Sequence, residues 1–173
     1  MKKFLLLALL GISSLLAAEE VNLIKNASFA KMAGKNPADF QVVVAPESKL
    51  EVLADEEVEN VRILKLTKAE DKACMLVQRD LQMDADKTYT FSCEVKSADV
   101  GKGMVYLEWR TKLADGKYQH KSINAVPFEP ADEWIEYSFE VPARDAKAEK
   151  PYIVFVGIEN SVEFRNLKLV VNE

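Results

Sequence analysis

One histidine and two cysteines in 173 residues leave too little to build a metal centre from nitrogen and sulfur ligands. The chain has no Cys-x-x-Cys pair, no Gly-rich phosphate loop and no nucleophile elbow, so the signatures of zinc sites, nucleotide binding and α/β hydrolases are missing. Positive charge is also short: 23 lysines and arginines face 28 acidic residues, a formal net charge of −5. Nucleic acid and anionic lipid both demand clustered positive charge, which excludes them as partners. Helical periodicity is almost absent. No stretch rich in proline, glycine or serine divides the chain, and no internal repeat is visible.

A long hydrophobic run occurs once, at the start. Met1-Lys2-Lys3 is basic, Phe4 to Leu16 is apolar apart from Gly11, Ser13 and Ser14, and Ala17-Ala18 precede Glu19-Glu20. These are the parts of a signal peptide over residues 1–18, cut after Ala17 or Ala18. The run is short for a membrane span, and no cysteine follows it to carry a lipid. The expectation is a bacterial export substrate that is secreted, periplasmic or held at the cell surface. Losing Lys2 and Lys3 takes the charge from −5 to −7, and residues 19–173 are enough for one domain. In an oxidising compartment Cys74 and Cys93 form either one disulfide or two buried thiols packed as small apolar groups. A bridge requires Cα atoms within about 7 Å.

The rest reads as strands. Short alternating or β-branched runs are expected at Phe40–Val44, Lys49–Leu53, Val61–Thr67, Met75–Leu81, Thr88–Lys96, Met104–Lys112, Tyr118–Val126, Ile135–Val141, Tyr152–Ile158 and Val162–Val171. Breaks between them carry Ala45-Pro46, Ala85-Asp86, Gly101-Lys102-Gly103, Asp115-Gly116, Pro127 to Pro130 and Arg144 to Lys150. Alternation assigns faces: Tyr89, Phe91, Cys93 and Val95 inward, Thr90, Ser92 and Glu94 outward. Likewise Ile135, Tyr137, Phe139 and Val141 point in, against Glu136, Ser138 and Glu140 out. One wet face per sheet is the mark of an antiparallel sandwich.

The hairpin over Ala114-Asp115-Gly116 fixes a register. With Gly116 in the left-handed region, a three-residue loop pairs Arg110 with His120, Glu108 with Ser122 and Tyr106 with Asn124. Val105, Leu107, Trp109, Ile123 and Ala125 then share the opposite face. A slip by one residue would mix the two sets. Trp109 is therefore expected in the core.

Several landmarks in order resemble the carbohydrate-binding modules of families 4 and 9, the CenC type. Asn22, Leu23, Asn26 and Phe29 match the opening phrase, and Pro37-Ala38-Asp39-Phe40 resembles its Pro-x-x-Trp. Gln78 to Asp86 with Tyr89-Thr90-Phe91-Ser92 resembles the central segment. Trp134, Tyr137, Ser138, Phe139, Val141 and Pro142 match the late one, and Phe164-Arg165-Asn166-Leu167-Lys168-Leu169 the closing strand. The resemblance spans nearly all of residues 19–173. It implies an antiparallel jelly-roll β-sandwich, similar to galactose-binding domains, in which Asn22–Phe29 begins the first strand near the last one. It also implies a mainly structural Trp134 and non-catalytic binding of a polysaccharide or glycoprotein glycan.

Members often hold a structural calcium near the chain ends, partly through a Glu after Phe and an Asp in the last strand. Ala30 and Arg165 stand there in this chain. The expectation is a lost calcium site and no cofactor, with the Arg165 guanidinium meeting the remaining carbonyls or carboxylates; the alternative leaves Arg165 pointing to solvent.

Sugar binding combines rings that cover C–H faces with polar groups that fix hydroxyls. The outer face of the hairpin offers Tyr106, Glu108, Arg110, Tyr118, His120, Ser122 and Asn124, either as a glycan site or as a solvated face laced with charge pairs. A partner protein on the same fold is the second reading, and a small glycoside hydrolase the third. Carboxylate pairs such as Glu133 and Glu136 carry no information about catalysis in so acidic a chain, so no catalytic residue is named.

Overall fold

Alternation dictates what forms: every regular element among the described residues is a β-strand. The computed structural model describes residues 20–69, 73–128 and 131–172. The leader expected over 1–18 lies outside them, as do Glu129 and Pro130 of the expected Pro127–Pro130 break. No helix among the described residues is long and apolar enough to cross a membrane.

In chain order the strands are β1 (Met32–Ala33), β2 (Asn36–Pro37), β3 (Gln41–Val44), β4 (Lys49–Ala54), β5 (Arg62–Thr67), β6 (Cys74–Gln78), β7 (Tyr89–Lys112), β8 (Tyr118–Ile123), β9 (Ile135–Val141) and β10 (Tyr152–Val171). Two of them are far longer than the sequence pattern suggests. β7 runs 24 residues and β10 runs 20, each fusing two expected strands. Gly101-Lys102-Gly103 is accordingly a bend inside β7 and not a turn between strands. A Cβ on Gly101 would lie 2.0 Å from the Ser161 carbonyl oxygen, and one on Gly103 would lie 2.8 Å from the Phe128 ring. Glycine is needed there for close approach. On β10 the ladder shifts register between Gly157 and Glu159 and again between Glu159 and Ser161, so that strand bends at the same place.

The two bent strands pair with each other from Tyr152 opposite Glu108 to Val171 opposite Tyr89 and carry the chain between two layers. The first layer runs β3, β6, the N-terminal half of β10, the C-terminal half of β7, then β8. The second runs β4, β5, the C-terminal half of β10, the N-terminal half of β7, then β9. This is a single antiparallel jelly-roll β-sandwich. Its core contains the expected inward residues, with Tyr89, Phe91, Cys93, Val95, Val105, Leu107 and Trp109 all buried. Phe155 and Phe164, from the two halves of β10, meet edge to face at 5.3 Å.

The opening phrase works differently from expectation. Asn22 to Phe29 is loop and turn instead of a strand. It still lies on the last strand: Leu23 N–H donates to Leu169 O at 2.9 Å, and the Asn22 side chain donates to Leu167 O and accepts from Leu169 N–H. Gln78 grips Lys25 from the other side, accepting from its N–H and donating to its carbonyl. Asn26, at φ +53°, bonds Lys31 and Ala38. Phe29 shares that left-handed conformation while fully buried, its ring 5.6 Å from Phe40. The segment is held by side-chain caps, a cost in backbone strain that packing at Phe29 offsets.

Cys74 and Cys93 are free thiols. They sit in different layers, on β6 and β7, and each is buried as part of the core. Cys74 donates to the Lys49 carbonyl at 3.3 Å, and burial pushes both thiols up from their ordinary pKa. The disulfide reading is thereby corrected in favour of two buried thiols.

Gly101→Ala forces β7 and β10 apart at the bend and is expected to cost about 2–3 kcal/mol. Urea denaturation measures it; a loss below about 0.5 kcal/mol would mean the close approach carries no constraint.

Candidate functional site

Directly paired residues of an antiparallel sheet share a face, so the ladders of the first layer write out its outer surface row by row. One row is Gln41, Val77, Val154 and Tyr106. On one side of it lie Val43, Met75, Val156 and Met104, all partly buried. On the other lie Tyr152, Glu108 and Ser122, followed by Arg110 with His120 and by Lys112 with Tyr118. Val77 and Val154 point away from the core yet are only 6% and 3% exposed. Outward valines so well covered need neighbours leaning over them, as side chains do on the hollow side of a curled sheet. The face is thus an aliphatic floor bordered by tyrosines and charged groups.

Glu108 is the hub of the polar half. His120 Nδ1 lies 2.6 Å from its carboxylate, Ser122 donates to it at 3.0 Å, and the Tyr152 hydroxyl donates to the oxygen that faces His120. Burial pushes the Glu108 carboxyl up, but bonds from His120, Tyr152 and Ser122 outweigh it and hold the group below its ordinary value. The same burial, with the Glu108 charge nearby, raises the Tyr106 and Tyr152 phenols. A carboxylate this well supplied with donors is a fixed acceptor.

The hairpin register holds for Arg110–His120 and Glu108–Ser122, with Gly116 at φ +83°. It fails at its end. Asn124 adopts φ +62° and its amide donates to the Tyr137 hydroxyl at 2.6 Å, so it ties β8 to β9 and leaves the face. Ala125, expected inward, is exposed beyond the strand. Of the expected site, the structure brings Tyr106, Glu108, Arg110, Tyr118 and His120 together and removes Asn124.

Three neighbours were not singled out in the sequence. Tyr152 supplies a ring beside Glu108, Arg79 lies 5.3 Å over that ring, and Glu149 pairs with Arg110. Arg110 also covers the Tyr118 ring at 4.7 Å. Arg79, Arg110, Glu149, Lys150 and Tyr152 line a cleft of about 120 Å³. The alternation of β10 carried a signal for Tyr152, since it puts Tyr152 and Val154 on one face; Glu149 belongs to a loop and carried none.

Arg165 occupies the opposite layer, 7% exposed. Its Nε donates to Glu94 at 2.6 Å, its Nη1 to Asp55 at 2.8 Å and Glu57 at 2.9 Å, and its guanidinium lies 4.2 Å over the Trp134 ring. Asn166 donates to the other Glu94 oxygen. Burial raises the carboxyls of Asp55 and Glu94, and their hydrogen bonds bring both below their ordinary values. The solvent-pointing alternative for Arg165 is corrected: the side chain satisfies carboxylates. Ala30 is exposed. Beside this cluster Trp134 lines a cavity of about 540 Å³ on the outer surface of the second layer.

No family model matches the chain, and no curated protein matches it in sequence. Solved structures match in shape. The CBM22-1 xylan-binding domain of Paenibacillus barcinonensis Xyn10C aligns with a TM-score of 0.60 at 11% identity, over 88% of this chain and 95% of that one. TmCBM61, solved with β-1,4-galactotriose, gives 0.59 at 14% identity over 88% and 99%. The enzymatically active domain of tailspike protein 4 from bacteriophage CBA120 gives 0.66 at 11% identity, and the aligned region spans 87% of this chain but 21% of that one. These likenesses establish the jelly roll of carbohydrate-binding modules as the fold. The two modules among them carry the names of families 22 and 61, where the sequence landmarks pointed to families 4 and 9.

Arg165→Ala leaves Asp55, Glu57 and Glu94 facing one another and is expected to cost about 3–5 kcal/mol at neutral pH. Asp55 and Glu94 have depressed pKa values in the fold, so their contribution is present above the ordinary values of 3.8 and 4.5 and is lost as pH falls through the folded ones. The gap between variant and parent should therefore narrow below about pH 4. Chemical denaturation across pH reads this, and a gap independent of pH would disprove the carboxylate assignment.

Proposed function

We propose that the chain is a non-catalytic glycan-binding module that holds a polysaccharide, or a glycan on a glycoprotein, across the outer face of the first layer. The observation that carries this reading is the covered floor of Val77 and Val154, bordered by Tyr106 and Tyr152 and by the Glu108 network. Apolar C–H faces of a sugar pack on such a floor while Glu108, His120, Ser122 and Arg110 orient hydroxyls. The fold agrees with it, being that of modules whose names specify xylan or whose structures hold β-1,4-galactotriose. Membership of families 4 and 9 belongs to the same proposal, as does export through a leader cleaved after Ala17 or Ala18.

Catalysis is not part of the reading. Glu108 is bound by His120, Ser122 and Tyr152, and Glu149 by Arg110, so neither carboxylate is placed as a free acid or base. A structural calcium is not part of it either, because the Arg165 guanidinium already bonds the carboxylates of Asp55, Glu57 and Glu94. Calcium at millimolar level should leave the melting temperature within about 1 °C of its value in EDTA; a dose-dependent rise would overturn this.

A second reading rests on the row Val43, Met75, Val156 and Met104, which is aliphatic where sugar platforms are usually aromatic. It assigns the face to a partner protein. Affinity electrophoresis separates the two. Retardation in xylan or β-1,4-galactan gels, weakened at least about tenfold, some 1.4 kcal/mol, by Tyr106→Ala and by Tyr152→Ala, supports the glycan. No retardation in any plant or mucin-type glycan would leave the protein partner, and turnover of a chromogenic glycoside would bring back the enzyme.

A further inference from the structure

The 540 Å³ cavity lies on the side of the sandwich away from the proposed glycan face and shares no lining residue with it. Its base is the outer surface of β7, β9 and β10. Ser92 pairs with Lys168 across one ladder, and Glu94 with Glu136 across another. Trp134, just before β9, and Ala27-Ser28, from the capped N-terminal segment, form walls. Asn166, held at φ +54° where the β7–β10 ladder slips between Arg165 and Lys168, closes the rim.

These walls are already fixed. Trp134 has Arg165 over its ring at 4.2 Å and Lys96 at 6.0 Å, Glu94 is saturated by Arg165 and Asn166, and Asn22 pins the N-terminal segment to β10. A ligand entering the cavity would therefore have little to reorganise. Other groups lining it are unspent. Among the described residues, Ser28, Ser92, Glu136 and Lys168 make no side-chain hydrogen bond or ion pair, and the Asn166 carbonyl oxygen is unused. Together they offer donors and acceptors of both kinds.

Charge narrows the ligand. Glu94 is spent on Arg165 and Asn166, and the two charged groups left free, Glu136 and Lys168, have opposite signs, so the lining gives no reason to select an anion or a cation. What remains is a tryptophan wall with dispersed hydrogen-bonding groups of both kinds, in a volume typical of small-ligand sites. We infer that this cavity is a second saccharide site, taking one or two uncharged sugar residues, on the face opposite the first. It stands independently of the proposed glycan face, because no residue is shared.

The test is a titration of the isotopically labelled protein with xylotriose, cellotriose and β-1,4-galactotriose, followed residue by residue in amide correlation spectra. Expected are saturable shifts at Ser28, Ser92, Asn166 and Lys168 with at least one probe. Indole fluorescence should change in parallel, and Trp109, enclosed in the core, leaves Trp134 as its source. Trp134→Ala removes the platform of Arg165 and is prone to unfold, so the informative variants are Ser92→Phe, which fills the cavity, and Glu136→Ala, at an exposed position. Each should weaken binding at this site at least tenfold, while Tyr152→Ala leaves it within twofold. Shifts confined to Tyr106, His120 and Tyr152, an absence of shifts at the cavity with every probe, or binding there unaffected by Ser92→Phe would each overturn the second site. Loss of the shifts at Tyr106 and Tyr152 alone would count against the first face and leave this one standing.

Discussion

The ladder between β7 and β10 is the constraint on which the rest depends. It runs from Tyr152 opposite Glu108 to Val171 opposite Tyr89, and every other strand in the sandwich except β3, β4 and the short β1 and β2 pairs directly with one of these two. Two strands that both change layers must bend at the same height. Gly101 and Gly103 meet that demand on one strand and the register shifts around Glu159 meet it on the other. The aromatic core follows from this geometry, since Phe155 and Phe164 are brought edge to face by the bend between them.

A buried guanidinium among carboxylates is an expensive way to join elements, because each charge loses its water. Here the geometry repays that cost: Arg165 reaches Glu94 on β7, and Asp55 and Glu57 in the loop after β4, while resting on Trp134 ahead of β9. One side chain thus ties the loop after β4 to β7 and to the start of β9, which no ladder joins to that loop directly. The same cluster stiffens the wall of the cavity beside it.

How much of this was legible depended on whether local pattern or tertiary contact decided the outcome. Period-two alternation gave the faces of β7 and β9, and the Gly116 hairpin gave its register to within the last pair, because both are local. Asn124 escaped because a bond to Tyr137, from the other layer, turned it. The double length of β7 and β10 escaped because Gly101-Lys102-Gly103 reads as a turn unless Ser161 and Phe128 are known to press on it. Asn22 to Phe29 carried the right address but the wrong conformation: its side chains cap the last strand where a backbone ladder was expected. The meeting of Tyr152 with Glu108 needed the pairing of distant strands.

Both candidate surfaces have strands as their floor, and use the alternate residues of strands whose other residues make the core. Leu107 and Trp109 hold the sandwich together, while Glu108 and Arg110 between them face outward; Phe91 and Cys93 do so around Ser92. Recognition and stability are therefore written in interleaved positions of the same segments. A lineage carrying this fold can revise what it recognises one outward residue at a time, with no inserted loop and no repacked interior.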